Sequence, residues 1–293
     1  MQDYTYRFTV FTPTYNREHL IHRVFESLMK QTYRDFEWIV VDDGSTDNTK
    51  KVIEDFQKKA WFSIRYIYQE NGGKHRAINR GVKEADGELF LIFDSDDWCV
   101  ENALERFDYH WKNIPQKDIF NFFAVCALCM YQNGKIVGTI YPKNIYDSNF
   151  IQLRLTQNRQ GDLWIASKTE LIKKHSFPEF EDENYIAESS VWNEVSKFYK
   201  TRFINEALEI VEYQSDGLSN NSKRIRKESC FGSMYCYSEQ FYFDIPTKVK
   251  IKAIINCLRF TLHHNRARSI CFKKIYTYIM SRIFNRRDNE KTS

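Results

Sequence analysis

The 293-residue sequence predicts an α/β fold built on a parallel sheet, followed by a mainly helical C-terminal extension. Three observations carry this. Short apolar runs alternate four times with stretches of helical periodicity in the first hundred residues. Two of those runs, Trp38-Ile39-Val40-Val41 and Leu89-Phe90-Leu91-Ile92-Phe93, are too continuously apolar to be half exposed. The runs end in polar residues, the pattern of strands that deliver loops to one edge of a sheet.

Arg7 to Phe11 reads as the first strand, and Thr12-Pro13-Thr14-Tyr15-Asn16 after it as loop. Leu20, Ile21, Val24, Phe25 and Leu28 fall on one helical face. The second strand ends in Asp42-Asp43-Gly44-Ser45-Thr46-Asp47, where glycine permits a tight turn and Ser45 or Thr46 is placed to cap a helix from Asp47 to about Lys59. Ile64 to Tyr68 is the third strand, Asn71-Gly72-Gly73-Lys74 a turn, and His75 to Ala85 a helix before the fourth strand. A helix follows from Val100 to Trp111. Beyond it, Phe120–Tyr131, Asn133-Gly134 and Lys135–Ile140 read as a β-hairpin. Gly161–Ser167 is a further strand, Lys168–His175 a short helix and Phe177–Asn184 an acidic loop. Next comes a helix near Ala187–Tyr199 with Val191, Val195 and Phe198 facing inward, and Phe203–Tyr213 gives one or two strands. From Lys223 the pattern is helical and increasingly basic. The expected division is an α/β domain over 1–222, its halves 1–98 and 99–222, and a basic helical extension over 223–293.

With 42 % apolar residues the chain is globular, and neither a spanning apolar segment nor a secretory signal is seen, so a cytoplasmic location is expected. The seven scattered cysteines read as core thiols in a reducing compartment rather than as zinc ligands or disulfides. The net charge of +4 is split: residues 246–293 hold twelve Lys or Arg against two acidic residues, a local +10, which leaves −6 on the first 245.

The decisive stretch is Leu89 to Trp98, where the fourth strand gives way to Asp94-Ser95-Asp96-Asp97. In an extended continuation Asp94 and Asp96 share one side and Ser95 takes the other. Carboxylates this close repel, and a divalent cation with a phosphate-bearing ligand relieves them. A solvated acidic turn is the bland alternative. No Gly-x-Gly-x-x-Gly follows the first strand and no Gly-Lys-Ser/Thr phosphate loop is present, so nicotinamide-cofactor and P-loop readings lose their support.

Taken together, Thr12-Pro13-Thr14-Tyr15-Asn16-Arg17, Val40-Val41-Asp42-Asp43-Gly44-Ser45-Thr46-Asp47, the spaced Asn71, Gly73, Ala77, Asn79 and Gly81, and Asp94-Ser95-Asp96-Asp97 resemble the family 2 (GT2) glycosyltransferases, inverting enzymes of the GT-A fold. The chain departs from the family's pattern at Ile78, where Arg is frequent, and at Glu188-Ser189, where Glu-Asp usually carries the base. The resemblance implies a nucleotide-diphosphate sugar donor, a UDP-sugar if Asp42 accepts a uracil N3 hydrogen, and a Mn²⁺ or Mg²⁺ cofactor on Asp96 and Asp94. Thr12, Tyr15, Arg17, Asp42, Asp43, Lys74, Asp94, Ser95 and Ser219 are then expected at the nucleotide-sugar. Lys74 stands in for the missing arginine, and Asp97 is placed to cap the next helix. Glu188 is the expected base, with Glu181, Asp182 and Glu183 as rivals. Asp162, Trp164 and Asp182 are expected at the acceptor, a glycan or lipid-linked hydroxyl of surface-polysaccharide synthesis. Each acidic residue has an ordinary alternative as a turn former or solvated carboxylate.

The basic tail, with Ile251, Ile254, Ile255, Leu258 and Leu262 among lysines and continuing through Ile279, Arg282 and Ile283, is expected either to pack on the catalytic domain or to lie peripherally on an anionic membrane. No nucleic acid is expected, because no binding motif accompanies the charge. The rival functions are a non-catalytic nucleotide-sugar-binding scaffold and a sugar-phosphate nucleotidyltransferase, the latter weakened by the absence of a glycine-rich triphosphate loop.

Overall fold

The computed structural model describes residues 3–215, 217, 218, 220–262 and 269–278. Its first unit alternates as the sequence predicts: β1 (Tyr6–Thr14), α1 (His22–Met29), β2 (Phe36–Asp42), α2 (Thr49–Lys59), β3 (Ser63–Tyr68), α3 (Lys74–Glu84) and β4 (Gly87–Ile92). These strands pair in parallel in the order β3-β2-β1-β4. β1 runs three residues further than the sequence predicts, because Thr12, Pro13 and Thr14 pair in register with Val40, Val41 and Asp42.

The order places a topological switch between β1 and β4, the crevice where ligands of open α/β sheets bind. One apolar layer, with Val24, Phe25 and Leu28 of α1 and Ile53 and Phe56 of α2, covers one face of the sheet. Ala77, Ile78 and Val82 of α3 cover the other. Aromatic stacking binds α1 to α2, with the Phe25 and Phe56 ring centroids 4.1 Å apart.

The second unit widens the sheet with β5 (Trp98–Cys99), α4 (Ala103–Lys112), β6 (Phe122–Tyr131), β7 (Ile145–Ser148), β8 (Leu163–Lys168), α5 (Thr169–Lys174), α6 (Ser189–Val195) and β9 (Lys200–Val211). β8 runs antiparallel to both β4 and β6, and β9 parallel to β6, giving a mixed nine-stranded sheet among the described residues. β5 and β7 are too short to announce themselves in sequence, and both are held by β9. The Asn133-Gly134 turn forms, with Tyr131 N–H donating to Lys135 O at 2.8 Å, but the expected second arm does not become a strand. Only Ile136 bridges back to Met130, and beyond Val137 the chain leaves to pack Gly138 against Gln160 and Gly161.

The C-terminal helices α7 (Ser222–Glu228), α8 (Cys230–Glu239) and α9 (Thr247–Thr261) and a helix over residues 269–278 carry their own apolar core of Cys230, Met234, Phe241, Ala253, Cys257 and Phe260. Here one expectation is corrected. Cys257 and Cys271 are joined as a disulfide, because the last described helix folds back along α9 and brings residues 14 apart in sequence together. Cys99, Cys126, Cys129, Cys230 and Cys236 are free. No helix among the described residues is long and apolar enough to cross a membrane.

Candidate active site

The loops after β1 and β2 are laced into one wall. Asn16, held at φ 52°, donates its N–H to Ser45 Oγ at 2.8 Å, and its side-chain oxygen accepts from Thr46 N–H at 2.8 Å. Asp47 accepts from Glu18 N–H and Thr49 N–H, each at 3.0 Å, and from the Thr49 hydroxyl at 2.6 Å. Burial pulls the Asp47 carboxyl upward, but these hydrogen bonds outweigh it and hold the group below its ordinary value. The N-cap of α2 is Asn48 rather than Ser45 or Thr46, and Asp47 just before it takes the N–H of Thr49, the first residue of the helix. On this wall Tyr15 stands 47 % exposed.

Asp43 locks the third loop. Its carboxylate accepts from Gln69 Nε2 at 2.7 Å, Gly72 N–H at 2.9 Å and Gly73 N–H at 2.8 Å. Gly73 has φ 96° and its Cα faces the Asn184 carbonyl, so neither the backbone angle nor the space admits a side chain. This fixes the first residue of α3, Lys74.

Lys74 Nζ lies 2.6 Å from Asp94 Oδ1 and 2.8 Å from Glu188 Oε1. Burial alone lowers an ammonium's pKa, yet the two carboxylates raise Lys74 well above its ordinary value. After β4 the chain turns, with Asp97 N–H donating to Asp94 O at 3.3 Å, so the extended arrangement that aligned Asp94 with Asp96 is not kept. Asp96 is half-buried, and burial followed by repulsion from Asp94 raises its carboxyl, with Arg17 opposing. Asp97 does not cap α4, whose N-cap is Asn102; it is buried and accepts from Glu212 N–H at 3.3 Å.

Beneath this turn lies a carboxylate the sequence reading missed. Glu209 of β9 is buried, accepts from Cys129 Sγ at 3.0 Å, and pushes Asp97 well above its ordinary value after burial has done the same. Glu209 is itself raised, by burial first, although the Cys129 hydrogen bond opposes this. In sequence it is one polar letter in a strand, and only the pairing of β9 with β5 and β6 brings it here.

A divalent ion fits these residues by chemistry. Carboxylate oxygens suit a hard cation, and burial with repulsion from Asp94 raises the Asp96 carboxyl more than Arg17 and Lys74 lower it, a stress that a cation relieves. Among the described residues no three His, Cys, Asp or Glu side chains converge as a ready-made cage, so ligand and water oxygens would complete the shell.

The Glycosyl transferase family 2 model matches residues 9–163, from within β1 to the first residue of β8. The chain belongs to glycosyl transferase family 2.

This family 2 chain is 30 % identical over 197 residues to glycosyltransferase GlyG of Streptococcus pneumoniae, covering 60 % of each chain. Over 232 residues it is 27 % identical to the GalNAc(5)-diNAcBac-PP-undecaprenol beta-1,3-glucosyltransferase of Campylobacter jejuni, covering 75 % of this chain and 70 % of that one. It spans only 31 % of GlyA, also from Streptococcus pneumoniae, and 60 % of GlyG. Staphylococcus aureus TarS 1-349 in complex with UDP-GlcNAc superposes with a TM-score of 0.61 at 21 % identity, covering 88 % of this chain and 72 % of that one. The mannosyltransferase PcManGT from Pyrobaculum calidifontis, in complex with GDP-Man and Mn2+, gives 0.58 at 20 % identity, covering 94 % and 76 %. The fold is GT-A, as the sequence predicts.

The other expected site residues of the family 2 chain divide between core, surface and structural contacts. Thr12 is buried and its hydroxyl accepts from Trp38 Nε1 at 2.9 Å, which serves the core side of β1. Asp42 is buried on that same side, accepting from Ser45 N–H at 2.8 Å and Tyr66 OH at 2.7 Å. Ser95 is buried within the turn. Trp164 is not an acceptor wall: it is 2 % exposed, donates Nε1 to Ile92 O at 2.8 Å and packs on Phe93 and Phe107, because β8 alternation turns it into the core. Asp162 is exposed and accepts from Tyr213 OH at 2.6 Å. Asp182 is exposed at φ 61°. Glu183 is buried, accepting the N–H groups of Phe231 at 2.9 Å and Gly232 at 3.1 Å at the start of α8, so it is committed to structure. Phe198, expected inward, is 65 % exposed because α6 ends at Val195. Ser219 lies outside the described residues, as do Ile279, Arg282 and Ile283.

Proposed function

We propose that this chain transfers a glycosyl group, with inversion, from a nucleotide-diphosphate sugar to a hydroxyl of a glycan or lipid-linked acceptor in surface-polysaccharide synthesis. The observation that carries the proposal is the Lys74 ammonium held between Asp94 and Glu188, next to Asp96, at the crevice between β1 and β4. A UDP-sugar is the donor of choice, supported by the fold shared with TarS in complex with UDP-GlcNAc. Tyr15 and Arg17 meet the nucleotide from the β1 loop, Asp42 and Asp43 shape its pocket from within, and Lys74 reaches the diphosphate.

Asp96 and Asp94 would hold Mn²⁺ or Mg²⁺, which supplies positive charge against the departing diphosphate. Glu188, at the N-cap of α6, takes the proton of the attacking hydroxyl on the opposite face of the sugar. Lys74 stabilises charge on the leaving group, and Asp162 with Tyr213 lines the acceptor side. The test is release of UDP from a panel of UDP-sugars with and without Mn²⁺. Metal-dependent release is expected. Binding without any release would favour a nucleotide-sugar-binding scaffold.

The extension gives a second, peripheral role. Ile251, Ile255 and Leu262 are exposed on the same face of α9 as exposed Lys248, Lys252 and Arg259. A stripe of apolar side chains flanked by cations suits an anionic bilayer surface. Co-sedimentation with phosphatidylglycerol vesicles should be lost when Ile251 and Ile255 are both replaced by Ser. Unchanged partitioning would exclude this face.

A further inference from the structure

Two arginines not used above lie in the segment leading into β8. A π-helical turn, Ile151–Thr156, is followed by Asn158 at φ 53° and Gly161 at φ 101°, which bring the chain back to the sheet. Arg159 on this return is 6 % exposed, its guanidinium 4.4 Å from the centroid of the Tyr141 ring. Its Nη1 donates to Gln160 O at 3.0 Å, while Nε and Nη2 are buried without a partner. Arg154 donates Nη1 to Arg159 O at 3.1 Å, which brings the second guanidinium alongside. Neither arginine forms an ion pair with a carboxylate among the described residues.

The surroundings supply little of the missing charge: Asp162 acts on Arg154 as the weakest of its neighbours and already accepts from Tyr213 OH. Burial pushes the Cys126 thiol up to about 12 and the Tyr141 hydroxyl well above its ordinary value, so both stay neutral. Burial, then the neighbouring Arg159, pulls Arg154 downward. Guanidinium groups keep their charge, so two of them side by side, with two buried N–H donors of Arg159 unmet, are costly unless an anion joins them. A carboxylate spans one guanidinium fork. A phosphoryl group presents three oxygens and a larger charge, and can bridge two. Tyr141 and Leu153 share an apolar layer with Ile186 and Val191, which bracket Glu188, so the arginines lie on the same face of the sheet as the proposed base.

We propose that Arg154 and Arg159 form an anion subsite on the acceptor side of the cleft, which receives a phosphoryl group carried by the acceptor. The word acceptor rests on the transferase reading; the anion subsite does not. Inorganic phosphate is the probe, with acetate as comparator at matched ionic strength and a chelator present, and binding to the full chain is read by thermal shift and by ³¹P line broadening. Phosphate, not acetate, should stabilise the protein. Arg154→Gln and the conservative Arg159→Lys should each weaken phosphate binding by at least about tenfold, with circular dichroism confirming the fold. Lys74→Gln should leave it intact. Phosphate binding that survives both arginine variants, or that vanishes with Lys74→Gln, overturns the subsite. In wild type, saturating phosphate should not alter UDP affinity, and mutual exclusion would place the anion at the donor site and overturn the proposal. Should the wild type fail to bind any UDP-sugar while phosphate binding remains arginine-dependent, the transferase reading fails and the subsite stands.

Discussion

Lys74 Nζ sits 2.8 Å from Glu188 Oε1 while holding Asp94 with the same ammonium, so one cation joins the proposed base to the acidic turn after β4. Glu188→Gln should preserve this contact's size and lose its charge. Transfer should fall by roughly 10²–10⁴-fold while donor affinity stays within a few-fold, measured by product formation and by donor titration. Near-normal transfer would move the base to Glu181 or Asp182.

Asp96→Asn removes one carboxylate from the turn with little change in volume. UDP release should drop by two orders of magnitude or more, and the thermal midpoint should hold or rise because a half-buried, repelled carboxylate is neutralised. Chelation of the wild type should abolish release and Mn²⁺ or Mg²⁺ restore it. Full activity in chelator would eliminate the ion from the scheme.

Asp43→Ala deletes the acceptor of three hydrogen bonds and leaves the Gly72 and Gly73 N–H groups unmet. A loss of about 2–4 kcal/mol in urea unfolding is expected, together with a rise in the donor KM, since the clamp sets the position of Lys74. An unchanged unfolding midpoint would show that the loop holds itself.

His75 supplies a pH signature. Its ring is buried without hydrogen-bond partners, and burial, aided by Arg76, lowers its pKa from 6.5 to about 4. Between those values the unfolded chain takes a proton that the folded imidazole refuses. The contribution is therefore complete above pH 6.5 and is lost as pH falls towards 4, up to roughly 3 kcal/mol. His75→Phe should flatten that part of the stability profile relative to wild type. Parallel profiles would mean the ring finds water.

The first 98 residues were largely legible because local signals and nonlocal pairing agree there: Gly73 ends a turn, α3 follows, and Asp94 terminates a strand flanked by helices. Even so, which aspartate faces the cleft was not. Asp42 and Asp43 are adjacent letters, and only the pairing of β2 with β3 decides that one meets Tyr66 and the other the Gly72-Gly73 backbone. The second half was read less well for the same reason at longer range. Trp164, Glu209 and Arg159 take their surroundings from segments between 18 and 80 residues away, and no local pattern encodes Glu209 against Cys129 or Arg159 against Tyr141.

The Glu183 carboxylate that caps α8 also has a bearing on engineering. It sits five positions before Glu188, on the loop that presents the proposed base, and its partners belong to the first turn of the C-terminal helices. The appendage is thus bolted to the proposed reaction centre rather than hung beside it. Exchanging that tail for a relative's should therefore retune turnover, unless the graft keeps two free amide groups at the spot where Phe231 and Gly232 now stand.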